Sequence, residues 1–297
     1  MFHEEQKLCM ESLMQLRLQN KQKVMDLQSG VDLAIQYEFI NGAIQNVKNF
    51  LSKSLGNIGA WFSELKNTTP DPLPHFVKIE KDMDTIHKFC KNDDNYLKYS
   101  SHSFPYIVGC ELNIKLLGEK LSKVRKNHVE VIFGLLDDCD TFISQVAASE
   151  DFRRSNAPIT LSSKVKEGVK FTEEIDKLHL DVIKGNRHED RMLLTELCNN
   201  LRELDDCSNS ISELKKSLAA KPINEVLARV EAISAKAKVL SDDITNGEVK
   251  CSQAVVNGIK LQLGSAANAV TALSTYYYLV SQYALTYKAI AGEISSL

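Results

Sequence analysis

The sequence has few of the residues that interrupt helices. Of its 297 residues, six are proline and 13 are glycine. Leucine, lysine, glutamate, alanine and serine, most of which suit helices, are abundant instead. The composition therefore favours long helices over many short strands.

The chain also lacks an excess of charge of either sign. Its 36 basic and 39 acidic residues leave a formal net charge of −3. Such a balance creates no overall field that would attract nucleic acid or anionic lipid, and the sequence has no specific nucleic-acid signature. The hydrophobic fraction is 43%, which is ordinary for a chain that buries a core.

The cysteines have no disulfide or zinc pattern. There are seven, scattered along the chain, and no two form a CxxC pair. Scattered cysteines of odd number are typical of a reducing compartment, where they pack as small apolar side chains. The N-terminal residues include early acidic side chains and no apolar core, so we expect synthesis in the cytoplasm without a secretory signal.

No catalytic motif is recognisable. The seven histidines lack metal-ligand spacing, Gly118-Glu119-Lys120 lacks the upstream glycine of a phosphate loop, and no nucleophile elbow occurs. Asp137, Asp138 and Asp140 lack the alternation of a calcium loop, which favours a solvated helix face over a cation site. The sequence predicts no enzyme activity, no cofactor and no metal.

One proline-rich run divides the chain. Three of the six prolines fall at 70, 72 and 74, and proline cannot continue a helix. We therefore predict an N-terminal helical arm over 1–66, a linker over 67–76 and a helical bundle domain over 77–297.

Apolar residues at helical spacing predict the elements of the bundle. We expect helices near 77–91, 107–148, 162–184, 188–219 and 222–245, followed by a last long helix. The apolar stripe slips in phase across 125–128, which indicates a bend or short break there. Short links at 185, 220 and 246 imply antiparallel neighbours. The predicted fold is all-α, an elongated antiparallel helical bundle with coiled-coil-like seams and an N-terminal helical arm.

The last helix includes the longest uncharged stretch. Residues 261–287 contain no charged side chain, a length that could also cross a bilayer. Its apolar residues recur in steps of three and four from Ala266 to Ile294, as in a coiled-coil seam. Polar residues follow a second face, which a lipid-facing helix would have to hide. A buried bundle helix is therefore favoured over membrane insertion.

Six aromatic residues are candidates for packing or interaction. Phe50, Trp61 and Phe62 belong to an amphipathic segment over 47–65, where core packing is favoured over an interfacial helix because the polar face carries few basic residues. Tyr276, Tyr283 and Tyr287 lie on the seam of the last helix. Tyrosine offers a large apolar area and a hydroxyl that needs a partner, which we expect at the rim of the bundle.

The segment LLDDCDTFISQVAASEDFRRSNAPI, at 135–159, resembles passages in helix-rich structural proteins of tailed-bacteriophage particles. There, an acidic-Thr-Phe-Ile helix end runs into an Asp-Phe-Arg turn and then a Pro-Ile. The run FPYIVG at 104–109 and the tyrosine-rich last helix resemble the same kind of chain. The resemblance implies a virion component associated with the head or tail, leaves open whether it is internal and released with DNA, and transfers no site residues. From the residues alone, 149–158 reads as a structural corner, with Phe152 packed beneath the turn.

Two functions remain open from the sequence. The first is a non-enzymatic structural or interaction protein of a phage particle, whose partners are other virion proteins or copies of itself. The second is a membrane-active helical protein that resembles the α-helical pore formers, and its motivation is the uncharged run together with the Trp61-Phe62 helix.

Overall fold

The computed structural model describes residues 71–105, 114–155, 164–183, 191–193, 201–220, 223–246 and 248–297. Within these residues the chain is all-α, and its helices pack against one another. The predicted N-terminal arm over 1–66, with Phe50, Trp61 and Phe62, lies outside the described residues, so the domain division stays a prediction.

The described chain forms nine α-helices, one π-helical turn and two short strands. In chain order they are α1 (Leu73–Cys90), α2 (Asp93–Tyr99), β1 (Ser103–Pro105), α3 (Ile114–Val124), the π turn (Arg125–Val129), α4 (Glu130–Ala148), α5 (Glu150–Arg154), α6 (Lys164–Ile183), β2 (Arg191–Leu193), α7 (Leu201–Ala220), α8 (Ile223–Asn246) and α9 (Gln253–Ile294).

Helix α9 is the centre of the molecule. Its 42 residues span about 63 Å at 1.5 Å per residue. The seam that the sequence predicts is buried along its whole length, and so are residues on the other faces, including Tyr277, Leu279 and Ala284. The buried bundle helix that the sequence favours is therefore present, and α1, α3, α4 and α6 all contact α9, whereas α7 and α8 pack mainly on α3 and α4.

The helices around α9 run in both directions. Leu121 of α3 contacts Tyr276, whereas Arg153, after α4, contacts Ser252, so the rod formed by α3, the π turn and α4 is antiparallel to α9. Helix α1 runs with α9, because Phe76 stacks on Tyr283 and the hydroxyl of Tyr99, farther along, bonds the carbonyl of Leu297.

The prediction of antiparallel neighbours is wrong at the link near 220. Helix α7 packs on α3, and α8 packs on α4. Ser122 and Arg125 bond Glu213 and Ser217 of α7 in the same chain order. Helices α7 and α8 therefore continue in one direction alongside the rod of α3 and α4. A short link limits the distance between helix ends but not the angle between their axes.

The phase slip in the apolar stripe is confirmed as a change of helix type. Val124 and Ile132, the stripe residues on either side, are eight positions apart, one more than the seven of two α-helical turns. The π turn at Arg125–Val129 takes up the extra residue, which is what a π-bulge does within an α-helix. Both Val124 and Val129 are consequently buried.

Two boundaries differ from the predictions. Helix α1 begins at Leu73, inside the predicted linker, because its prolines occupy the N-cap and the first turn, where no backbone donor is required. Residues 191–193, predicted as helix, pair as a strand with Ser103–Pro105. Helical periodicity is a local signal, and this pairing depends on residues almost 90 positions away.

The uncharged stretch of α9 raises the question of whether a helix of this protein could cross a membrane. Among the helices of the described residues, none is both long enough and apolar enough to cross a membrane. Helix α9 contains polar residues within its uncharged stretch, and five of them are buried: Gln262, Ser274, Thr275, Ser281 and Thr286.

We expect Ser252→Ala to destabilise the protein by about 1 kcal/mol, the usual cost of losing an N-cap. The Ser252 side chain accepts the backbone N–H of Val255 at the start of α9 and donates to the carbonyl of Ser155. Chemical denaturation measures the change. Ser296→Ala, at an exposed serine beyond the other end of α9, is the control and should leave the free energy of unfolding nearly unchanged.

Candidate functional site: the buried tyrosine cluster

Four tyrosines of α9 lie together in the core. Tyr276, Tyr277, Tyr283 and Tyr287 are each fully buried, with no exposed side-chain fraction. The sequence predicts three of them as packing or interaction residues, and the structure brings these three into one region. We call the four, with the residues that contact them, the tyrosine cluster. Its walls come from α1, α3 and α7.

Tyr276 binds the backbone of α3. Its hydroxyl donates to the carbonyl oxygen of Leu121 at 3.0 Å. A buried hydroxyl without a partner would cost free energy, so the bond allows tyrosine at a position where the seam requires a large apolar side chain. The expectation that the tyrosine hydroxyls reach the rim is wrong for this residue, because its partner is inside the bundle.

Arg125 is the buried cation of the cluster. It opens the π turn and is only 4% exposed. One guanidinium nitrogen donates to the hydroxyl of Tyr277 at 2.7 Å, and the others donate to the side chain and the carbonyl of Ser217 at 2.7 and 2.9 Å. These bonds compensate the loss of hydration that burial of a charge entails. They also join the π turn, α7 and α9 at one point.

Tyr283 and Tyr287 form the second part of the cluster. Their hydroxyl oxygens are 3.3 Å apart, and their rings meet edge to face with centroids 5.4 Å apart. The thiol of Cys207, on α7, is close enough to interact with both hydroxyls. Phe76 of α1 stacks on Tyr283 with a centroid distance of 6.4 Å. The spacing of four residues places both tyrosines on one face of α9.

Gly118 makes room for Tyr283. A Cβ atom at residue 118 would lie 2.6 Å from the tyrosine oxygen and 3.0 Å from the ring carbon that bears it. Helix α3 can therefore approach the cluster this closely only with glycine at this position. The glycine has a packing role that its sequence context, Gly-Glu-Lys, does not indicate.

Burial keeps the tyrosines in their neutral form. It raises the pKa of Tyr276, Tyr283 and Tyr287 far above the usual value for tyrosine. Burial also raises the pKa of Tyr277, although the Arg125 charge opposes this, and the carboxylates of Asp71 and Glu225 add to it. The phenols are thus hydrogen-bonding and packing groups at neutral pH, not bases or nucleophiles.

The acidic residues of α4 form ion pairs between helices. Asp138 pairs with Lys164 of α6 at 3.2 Å, whereas Asp137 pairs with Arg229 of α8 and Asp140 with Lys236 of α8. The three side chains are partly or largely exposed, as expected of a solvated face, and they also connect α4 to a helix on either side. In the described part of the chain, no group of three or more His, Cys, Asp or Glu residues could hold a metal ion.

The segment that resembles phage proteins is a corner that anchors α9. Phe152 packs edge to face on Phe142, so the predicted position beneath the turn is confirmed. Arg153 donates to the carbonyls of Val146 and Ala147 at the end of α4, and its own carbonyl accepts the backbone N–H of Ser252. Arg154 pairs with Glu150 within α5. The corner thus ties the end of α4 to the start of α9.

Sequence reasoning missed Arg125, Tyr277 and Gly118. A signal existed for Arg125, because it stands at the phase slip. Its partners could not be read from the sequence, since Tyr277 is 152 positions away.

Cys139 behaves as expected for an apolar side chain, because burial and the nearby Asp140 and Asp138 raise its pKa to about 12, so its thiol stays protonated.

Comparisons with known proteins add no relative to this description. No protein-family model, no curated protein and no solved structure matches the chain.

We expect Gly118→Ala to destabilise the protein by about 1–3 kcal/mol, because the added methyl group overlaps the buried Tyr283 hydroxyl. Gly292→Ala is the matched control, since a Cβ there meets nothing within 4 Å. Both changes increase helix propensity, which alone stabilises by up to about 1 kcal/mol. Thermal unfolding should therefore show a lower Tm for the first variant and an equal or higher Tm for the second. Equal shifts of the two would contradict the close approach.

We expect the protein to lose stability above about pH 10, the ordinary pKa of tyrosine. Below that pH both states keep their phenol protons, so the contribution of the cluster is complete. As the pH rises, the unfolded chain releases these protons first, because the folded pKa values are raised, and the free energy of unfolding falls.

Denaturant unfolding at a series of alkaline pH values measures this slope. A variant with Tyr283→Phe and Tyr287→Phe should show a shallower decline, because two of the shifted groups are gone. An identical slope would mean that these phenols are not shielded in the folded protein.

Proposed function

We propose that this protein is a non-enzymatic structural or interaction protein that acts through its helical surfaces, as a component of a tailed-bacteriophage particle. The observation that carries the structural role is the use of its buried polar groups. The hydrogen bonds of three buried side chains, those of Arg125, Tyr276 and Tyr277, join different helices. Side chains held in this way stabilise a shape and are not available to a substrate.

Ion pairs between helices at the protein surface support the same proposal. The carboxylates of α4 pair with α6 and α8, and Lys215 of α7 pairs with Glu80 of α1 at 3.0 Å. One exposed pair contributes little, typically less than about 1 kcal/mol. Several pairs between different helices also specify which helices become neighbours, which is useful in a protein that must present a defined surface.

The phage assignment rests on the resemblance of 135–159. Its described residues, 135–155, form most of α4, α5 and the corner that holds the start of α9. We propose other virion proteins or further copies of this chain as partners, and a position in the head or tail.

Particle proteomics tests the phage assignment. We expect the chain among the proteins of purified virions after nuclease treatment and gradient separation. Absence from the particles, with the protein abundant in the infected-cell lysate, would refute this part of the proposal. Mass measurement in solution separates the two kinds of partner, because a monomer at micromolar concentration leaves other virion proteins as the partners.

The structural role has its own test. Variants that keep the fold but remove a buried polar link, such as Tyr276→Phe, should lower stability without abolishing particle assembly at low temperature. A substrate-dependent activity that disappears in such a variant would favour an enzyme instead.

A further inference from the structure

Exposed leucines gather at one end of α9. Leu97 of α2 is 79% exposed, Leu193 of β2 is 49% exposed and Leu297 is 41% exposed. Within the residues that the structure describes, six large hydrophobic side chains are exposed, and these three are half of them. A single exposed leucine is normal on a protein surface, whereas several in one place indicate an interaction surface. We call these three residues the leucine end.

Three contacts hold the leucine end together. The hydroxyl of Tyr99, the last residue of α2, donates to the carbonyl oxygen of Leu297 at 3.1 Å. Nε2 of His102 lies 3.2 Å from a carboxylate oxygen of Glu293, in the last turn of α9. The residue after His102 pairs with Leu193 in the two-stranded sheet. Helix α2, the strands and the end of α9 are therefore fastened to one another, and all three leucines belong to this part of the molecule.

Helix α2 carries charges of both signs around Leu97. Asp93 and Asp94 lie in its first turn and Lys98 in its last turn, which is the order that the helix dipole favours. Asp94 and Lys98 have the spacing of an ion pair within one helix, but the ammonium group of Lys98 lies 4.9 Å from the centre of the Tyr99 ring. Among the described residues, the two aspartates and the lysine have no ion-pair partner.

We propose that the leucine end binds a second copy of this chain, with the two α2 helices antiparallel and Leu97 of one copy packed on Leu97 of the other. A two-fold contact brings the same surface of both copies together. In this arrangement Asp94 of each copy faces Lys98 of the other, so the order of charges along α2 complements itself. A partner of one charge sign would be attracted at one end of α2 and repelled at the other. Leu193 and Leu297 widen the apolar area that the second copy covers.

This dimer names one partner for the interaction role proposed above, and in that sense it rests on the proposed function. Its test uses the purified chain in solution, whereas the phage assignment is tested on particles, so either can fail while the other holds. The leucine end and the charges of α2 are far fewer than the roughly 20–30 residues that each partner contributes to a stable interface. We therefore expect a reversible dimer with a Kd in the micromolar range.

Sedimentation velocity of the full chain over a concentration series measures the dimer. Leu97→Asp should raise the Kd at least about tenfold, because it places an unpaired carboxylate at the centre of the contact. Val77→Asp is the matched control, since Val77 of α1 is 62% exposed. The adjacent Phe76 stacks on Tyr283, so Val77 lies about three turns of α9 away from the leucine end. The control should leave the Kd unchanged.

Exchange of the charges on α2 tests the antiparallel arrangement. Asp94→Lys and Lys98→Asp should each raise the Kd, because like charges then face each other across the contact. A mixture of the two single variants should form a mixed dimer more tightly than either variant forms its own, since every facing pair in the mixture is opposite in charge. A fluorescent label on one variant reports the mixed dimer. The double variant, which carries both changes, should recover the dimer.

Three results would overturn the proposal. One is a chain that stays monomeric at concentrations on the order of 100 μM. Another is a dimer whose Kd responds equally to Leu97→Asp and Val77→Asp, which would place the contact elsewhere. The third is a mixture of the charge variants that associates no better than each variant alone. Circular dichroism checks that each variant keeps its helices, and if Leu97→Asp does not fold, the charge exchange still decides.

Discussion

A helix that is buried on nearly every side cannot offer its polar side chains to water. Helix α9 is such a helix, and the rest of the structure depends on how its polar groups are satisfied. Thr271 and Thr275 bond the carbonyls of their own helix. The tyrosines are too long for that solution. Tyr276 bonds the backbone of α3 and Tyr277 accepts from Arg125, whereas the hydroxyls of Tyr283 and Tyr287 meet each other. The bonds of Tyr276 and Arg125 help to place α3 and α7 beside α9.

Among these partners, Arg125 requires the most hydrogen-bond acceptors, because its guanidinium is charged and buried. Removing a guanidinium from water costs several kcal/mol unless its donors are bound, and here donors are bound by Tyr277 and by two oxygen atoms of Ser217. The guanidinium also lies 5.7 Å from the centre of the Tyr277 ring, within the range of a cation–π contact. A hydrophobic residue could fill the same volume, so the arginine contributes a defined alignment of three helices more than additional stability.

The sequence predicted the features that repeat locally. The seam of α9 from Ala266 to Ile294 and the phase slip at 125–128 follow from apolar spacing, and so do the helices of the described residues around α9, apart from the strand at Arg191–Leu193. Features that depend on distant residues were not predictable. The pairing of Ser103–Pro105 with Arg191–Leu193 and the continuation of α7 into α8 both arise from contacts across the fold. Of the tyrosine cluster, the aromatic residues could be recognised, but Arg125 and Gly118 could not be assigned their partners.

Arg125 lies on the face of the rod that is buried before the π turn begins. Leu121, Ser122 and Val124, in the preceding turn, are all buried, and residue 125 follows them at helical spacing. The π turn then takes up the extra residue, and burial resumes at Val129 and Ile132. A polar side chain at this position must then find hydrogen-bond acceptors in the core. The buried guanidinium and the Tyr277 hydroxyl are therefore one arrangement, since each gives the other a hydrogen-bond partner in the core.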